Sequence, residues 1–378
     1  LFVLLPFWSS FLVRTFAWIV ILGRQGPVNA TLVASGAIER PLDLLYGWGA
    51  VVVGMTNVLV PFAILTMVGV MERIDRNLTA AAGTLGARPV QAFFRVYLPL
   101  SMPGVTAAAL LVFVTALGFF IAPALLGSAR ETMITQLVIQ QVLEMVNWPF
   151  AAVICLMLLV TALAIFFVFD RLVGLSALAG ETRTTAPGLM RAVDEAGIRA
   201  LGLLGDACAT VADRLGGEAR PGRPRPIGTT VLAVAVVVFL IAPLFVLIPI
   251  AFSGAEFLAW PPTAPGTRWY REVLSSPIWL AAAGRSFLVA AATSVICAVV
   301  AVPAALAFLR LSGRSASAAF ALMISPLLVP RMVIAVSLFY VYARLGLVGT
   351  TAGLVIGHVV VALPYFFIAV VAVLKTYD

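Results

Sequence analysis

Residues 229–252 read TTVLAVAVVVFLIAPLFVLIPIAF, without one charged side chain. A helix crosses the hydrocarbon of a bilayer in roughly 20 residues, so this run alone predicts a membrane span. Further runs of sufficient length lie near 1–22, 48–70, 104–126, 149–170, 279–309, 317–342 and 350–374. Across 378 residues, 62% are apolar and 11% charged, with mean hydropathy +1.11. An average soluble domain carries roughly 45–50% apolar and about 25% charged residues. That much apolar surface cannot be hidden from water in a fold of this size. The sequence predicts an all-α polytopic membrane protein with about eight transmembrane helices.

The net charge of +8 and pI near 10.0 do not mark a nucleic-acid partner, because the arginines punctuate the ends of apolar runs. That placement orients a membrane protein. Arg73, Arg76, Arg88 and Arg95 share one loop, the stretch from Arg171 to Arg225 forms a second, Arg310 and Arg314 mark a third, and Lys375 begins a fourth. The intervening loops 23–47, 127–148, 253–278 and 343–349 are poorer in arginine for their length. The arginine-rich set is expected in the cytoplasm, and the alternation suits an even number of crossings.

Rare residues exclude several chemistries. The single lysine, Lys375, has no glycine frame, so no phosphate-binding P-loop is present. Cys155, Cys208 and Cys297 are far apart, form no metal-ligand spacing and read as buried packing residues. The only histidine, His358, sits within an apolar run, which leaves no Ser-His-Asp arrangement. No enzyme activity, cofactor or metal is expected.

The stretch from Leu44 to Asp75 aligns without a gap on Leu347 to Asp378, pairing Gly54, Pro61 and Asp75 with Gly357, Pro364 and Asp378. Both copies run from outside to inside and their starts are six spans apart. This predicts two parallel six-helix units related by an axis along the membrane normal, both partial here. Residues 1–173 would hold helices three to six of the first unit, 174–227 a cytoplasmic connector, and 228–378 helices one to four of the second. The natural product is expected to extend beyond both ends.

One loop carries the functional signal. After Asp75, an alanine-rich helix containing Ala80, Ala81 and Ala82 leads to Leu85-Gly86-Ala87, and a second short helix bears Phe93 and Val96 before Leu98-Pro99. Gly86 can adopt positive φ and admit a partner's backbone. Pro99 and Pro103 then mark the start of the next span. On spacing alone, an ordinary helix-turn-helix competes with a docking element.

Ala81-Ala82, Leu85-Gly86-Ala87 and Leu98-Pro99 resemble the EAA loop of ABC-importer permeases, with Ala80 in place of the acid that names the motif. The resemblance implies that Ala80, Ala81, Ala82, Leu85, Gly86, Ala87, Phe93, Leu98 and Pro99 couple to an ATP-binding cassette ATPase, two copies per transporter. It also implies a soluble substrate-binding protein as partner and a bacterial inner membrane as location. Segments around Pro6-Phe7-Trp8, Asn57 to Leu65, Gly118 to Gly127 and Gly357-His358 to Tyr365 are similar to the spermidine/putrescine branch. Iron, thiamine and phosphonate importers share much of the pattern. Trp18, Phe62, Phe119, Pro123, His358 and Tyr365 are candidates for the translocation path.

The rival is an ion-coupled secondary transporter, which would use acids or histidine within the spans. All 16 acids fall in loops or at span ends, leaving His358, which also reads as a packed side chain. Without intramembrane carboxylates a polycation lacks strong ligands, so recognition is expected in the binding protein. Arg14, Arg285 and Arg331 lie near span ends and read as snorkelling to the interface or contacting an anion. In the connector, Met190, Val193, Gly197, Leu201, Leu204, Cys208, Val211 and Leu215 recur at three- and four-residue steps. They fit a helix on the membrane face as well as a plain tether.

The alternating loops make a direct prediction. Single cysteines at positions 88 and 130 should label from opposite sides of the membrane, and labelling from one side would refute the orientation.

Overall fold

The computed structural model describes residues 3–172, 202, 203, 206–208, 210, 227–256, 260–262 and 264–375. Among the described residues the regular elements are helices, with one isolated bridge between Ser253 and Pro265. In chain order they are α1 (Leu4–Trp8), α2 (Phe11–Leu22), α3 (Pro27–Ala34), α4 (Trp48–Met71), α5 (Arg76–Thr84) and α6 (Pro89–Leu117). Then follow α7 (Ile121–Leu126), α8 (Ile134–Leu143), α9 (Trp148–Leu172), α10 (Ile227–Ala251) and α11 (Arg268–Ser275). The chain ends with α12 (Pro277–Leu309), α13 (Gly313–Leu328), α14 (Arg331–Leu345) and α15 (Thr351–Leu374). The all-α polytopic class is borne out.

Among the described residues, six helices are long and apolar enough to cross a membrane, or seven if the bent pair α13 and α14 counts as one. The expected eight are reduced by breaks that apolarity alone does not show. Run 1–22 is interrupted at Ser9-Ser10, where the Ser9 hydroxyl donates to the Pro6 carbonyl at 2.7 Å. What remains, α2, has 12 residues, about 18 Å of helix, well short of the hydrocarbon thickness.

Run 104–126 also divides. Its helix starts earlier, at Pro89, and stops at Leu117 before a break at Gly118. A Cβ on Gly118 would stand 3.2 Å from Pro330 Cβ, so the missing side chain permits this approach. Thr135 Oγ1 donates to the Phe119 carbonyl at 2.7 Å, covering a backbone group that the break exposes. Run 317–342 bends by 92° between α13 and α14. Val329, which precedes Pro330, is extended at ψ 126°, the conformation that a following proline favours.

The helices α4 and α15 each have 24 residues and begin and end in step with the sequence repeat. Pro61 and Pro364 occupy the same position in both.

The contacts group into two compact units. One comprises Leu1–Arg14, Val53–Phe113 and Ala164–Pro243; the other comprises Thr15–Val52, Val114–Leu163 and Leu244–Asp378. Within the second, Ala301 and Ala305 of α12 are buried beside Phe367 and Val371 of α15. Small residues let the two backbones approach closely where lipid gives no hydrophobic incentive to pack. A separate cluster gathers Val138, Ala151, Cys155, Leu158, Val333 and Val336. Cys155 and Cys297 are buried as expected, whereas Cys208 is exposed.

The first unit is stitched by side chains that reach carbonyls freed by proline. Pro61 has no N–H for the Asn57 carbonyl four residues back, and Pro243 has none for Phe239. Arg14 Nη1 donates to the Asn57 carbonyl at 3.2 Å, and Asn57 Nδ2 donates to the Phe239 carbonyl at 2.9 Å. Arg14 and Asn57 are both fully buried. Arg14 therefore does not snorkel; its guanidinium lies 5.3 Å from the Phe11 ring centroid.

Asn57→Leu would leave the Phe239 carbonyl unsatisfied, at a cost of about 1–3 kcal/mol. Thermal unfolding in detergent should show a clear loss for Asn57→Leu and little for Ser325→Ala, whose bond to Leu322 is solvent-exposed. Equal stability of Asn57→Leu and the parent would refute this stitching role.

Candidate coupling loop and cavity

Asp75 opens the loop as a cap: its side chain accepts from the Asn77 N–H at 2.9 Å and starts α5. The helix closes with the Ala87 N–H on the Ala82 carbonyl and the Gly86 N–H on the Gly83 carbonyl, both at 3.0 Å. This paired pattern places Gly86 just past the helix in the left-handed region. Its φ is +88°, as the sequence led us to expect, and a Cβ there would meet nothing within 4 Å. Gly86 thus answers a backbone requirement and faces open space.

The helix surface is apolar where it meets no neighbour. Leu78, Ala81, Ala82 and Leu85 recur at i, i+3, i+4 and i+7, which puts them on one face. Leu85 is 89% exposed and Leu78 46%. Ala80 and Ala81 are exposed, while Ala82 and Ala87 are half-buried. Sequence reasoning did not single out Leu78, although its seven-residue spacing from Leu85 was readable.

The second arm differs from the expected short helix. Pro89 starts α6 directly, with the Arg88 N–H donating to Gln91 Oε1 at 3.1 Å, so Phe93, Leu98 and Pro99 belong to the first turns of a 29-residue helix. Phe93–Tyr97 forms a π segment immediately before Pro99. A proline ring clashes with the carbonyl four residues back, here that of Arg95, and a widened turn relieves the clash. Pro99 and Pro103 consequently lie inside the helix rather than at its start. Phe93 stacks on Tyr97 with centroids 5.8 Å apart; α5 folds back on this segment.

The path candidates divide by environment. His358 and Tyr365 line a cavity of about 890 Å³ bounded by α12, α14 and α15. Thr293, Arg331, Phe339 and Tyr342 share its wall. The Thr293 and Tyr342 hydroxyls are buried without hydrogen-bond partners. His358 is exposed to this space, and its Nδ1 donates to the Leu354 carbonyl at 2.7 Å. Trp148 stacks on Phe339 with centroids 3.6 Å apart, bracing one wall. Phe62 instead joins an aromatic cluster with Phe7 and Phe11, at 5.1 and 6.2 Å. Trp18, Phe119 and Pro123 are buried in packing.

Strong electrostatic perturbation outside the spans lies elsewhere. Arg24 donates to both Asp43 oxygens, at 2.5 and 2.8 Å, which raises the guanidinium's affinity for its proton and holds the carboxyl below its ordinary range. Bonds from the Ser128 hydroxyl and N–H likewise hold Glu131 low. Neither pair touches the loop or the cavity lining.

Residues 1–172 match the family described as binding-protein-dependent transport system inner membrane component. The spermidine/putrescine transport system permease protein PotB of Haemophilus influenzae is 38% identical over 169 residues, covering 45% of this chain and 59% of the relative. Its counterpart from Escherichia coli K12 is 34% identical over 149 residues, covering 39% and 54%. The molybdenum transport system permease protein ModB of Mycobacterium bovis is 31% identical over 163 residues, covering 43% and 60%. The chain thus spans between about half and three-fifths of these relatives' lengths. Over residues 1–172 the resemblance read from the sequence is borne out.

Proposed function

Proceeding from that permease match, we propose that the chain is the membrane-spanning part of an ATP-driven importer that passes polyamines or a similar small solute. The observation that carries the reading is α5. It ends in a fixed left-handed glycine and offers Leu85 and Leu78 to solvent beside a membrane-length helix. Leu85, 89% exposed on a capped, geometrically defined turn, gives that turn an apolar tip that a partner can cover. In this reading the partner is a separate ATPase, one of two copies, and the loop faces the cytoplasm. A soluble binding protein delivers the solute from the other side of the bacterial inner membrane.

The repeat supports a second unit of the same kind after the connector, since α4 and α15 agree in length and in proline position. Ion coupling fits less well. The six membrane-length helices contain no Asp or Glu apart from Asp170 in the last turn of α9, and His358 is tied to its own helix. The PotB relatives support a polyamine as the solute. A polyamine in the cavity would meet the rings of Phe339, Tyr342 and Tyr365 and several hydroxyls, but no carboxylate. Such a lining suits weak holding during transit, with selection left to the binding protein.

The test compares two substitutions at Gly86 in the complete transporter. Both incur the left-handed backbone penalty of about 1 kcal/mol, and a Cβ at this position meets no atom within 4 Å. Gly86→Arg should abolish uptake and ATPase co-purification while the protein still inserts, whereas Gly86→Ala should retain most of both. Normal uptake in Gly86→Arg would overturn the docking role.

A further inference from the structure

Asp206 lies in the connector, for which the sequence left a membrane-surface helix and a plain tether equally open. The described connector residues include 202, 203, 206–208 and 210; the rest of the apolar stripe, from Met190 to Leu204 and from Val211 to Leu215, lies outside the described residues. Asp206 Oδ2 accepts from Arg95 Nη2 at 2.6 Å, and Oδ1 accepts from Gln91 Nε2 at 3.1 Å. Gly202 lies alongside: a Cβ built on it would stand 3.7 Å from Arg95 Nε.

The two donors are four residues apart, so they share one face of α6. They also bracket a junction. Gln91 lies in the first α-helical turn, and Arg95 lies inside the π segment Phe93–Tyr97. A π turn is a local irregularity at which a helix can bend. One carboxylate thus ties the turn before the π segment to the middle of that segment. The pair is about half exposed, at 54% and 42%, and pairs of that kind add little stability. Its consequence is geometric.

We propose that Asp206 is a positioning residue, a clamp that fixes the first turn of α6 against the π segment that follows it. This rests on the importer reading, because α5 and Leu85 are carried by that first turn. Without the clamp the docking arm, held at Gly86 by its backbone bonds, can pivot where the π segment begins. With it, a push on α5 is passed into α6.

The test uses the full chain reconstituted with its ATPase and binding protein. Asp206→Ala should lower solute imported per ATP hydrolysed by about fivefold, the upper range for a half-exposed pair, while the ATPase still co-purifies. Arg95→Asp should do the same, and the exchanged pair Arg95→Asp with Asp206→Arg should recover to within about twofold of the parent. A purely structural role would lower thermal stability without changing that ratio. An unchanged ratio in Asp206→Ala, or failure of the exchanged pair, overturns the clamp. A separate arm needs no ATPase: Gln91→Cys with Asp206→Cys, in a Cys208→Ser background, should cross-link through a short bismaleimide in membranes. Absence of that cross-link overturns the contact alone. A parent chain that binds no ATPase overturns the importer reading and with it the coupling role.

Discussion

A carbonyl that loses its helical donor inside a bilayer has no water to turn to. Pro61 and Pro243 each create that situation, and each freed group is met by a named side chain. Arg14 serves Asn57, and the Asn57 amide serves Phe239. The two bonds form a relay in which one asparagine is acceptor through its backbone and donor through its side chain. Removing that amide would strand the Phe239 carbonyl in apolar surroundings. Arg14 is buried as a hydrogen-bond donor near the Phe11 ring.

The apolar runs made the class legible, because length and lack of charge suffice to name a span. They did not locate breaks. Hydropathy averages over direction, so 317–342 reads the same whether straight or turned through 92°. The local chemistry was nevertheless present: Val329 before Pro330, paired serines at Ser9-Ser10, and Gly118 before a crowded contact. The relay was also partly readable, as asparagine four residues before proline. What hid it was the identity of the donor. Arg14 near a span end satisfies the snorkelling pattern equally well, and only burial distinguishes the two.

The functional loop shows the same division. A glycine after an alanine-rich helix announced positive φ, and Gly86 has it. The accommodation of Pro99 by a π segment was invisible, because no residue type codes for that turn. The proline cost was assigned to a helix start instead. Asp206 was beyond reach for a different reason. Its partners are more than a hundred positions away, and an isolated aspartate in a polar connector carries no periodic signal.

The proposed coupling role requires a loop that is stiff between the surface it offers and the helix that follows it. Here α5 is capped at one end by Asp75 and locked at the other by two backbone bonds around Gly86. Its remaining freedom lies at that glycine and at Phe93–Tyr97. The glycine is fixed by its own hydrogen bonds. The π segment is not, since a widened turn tolerates bending, and its stacked Phe93 and Tyr97 rings brace one side only. A bond that ties the middle of the segment to the turn before it is therefore worth more mechanically than its exposure suggests. Asp206 supplies such a bond from a segment far along the chain. Fixing one angle asks only that the closed geometry be preferred during each push, and a weak, reversible contact can meet that condition without freezing the loop.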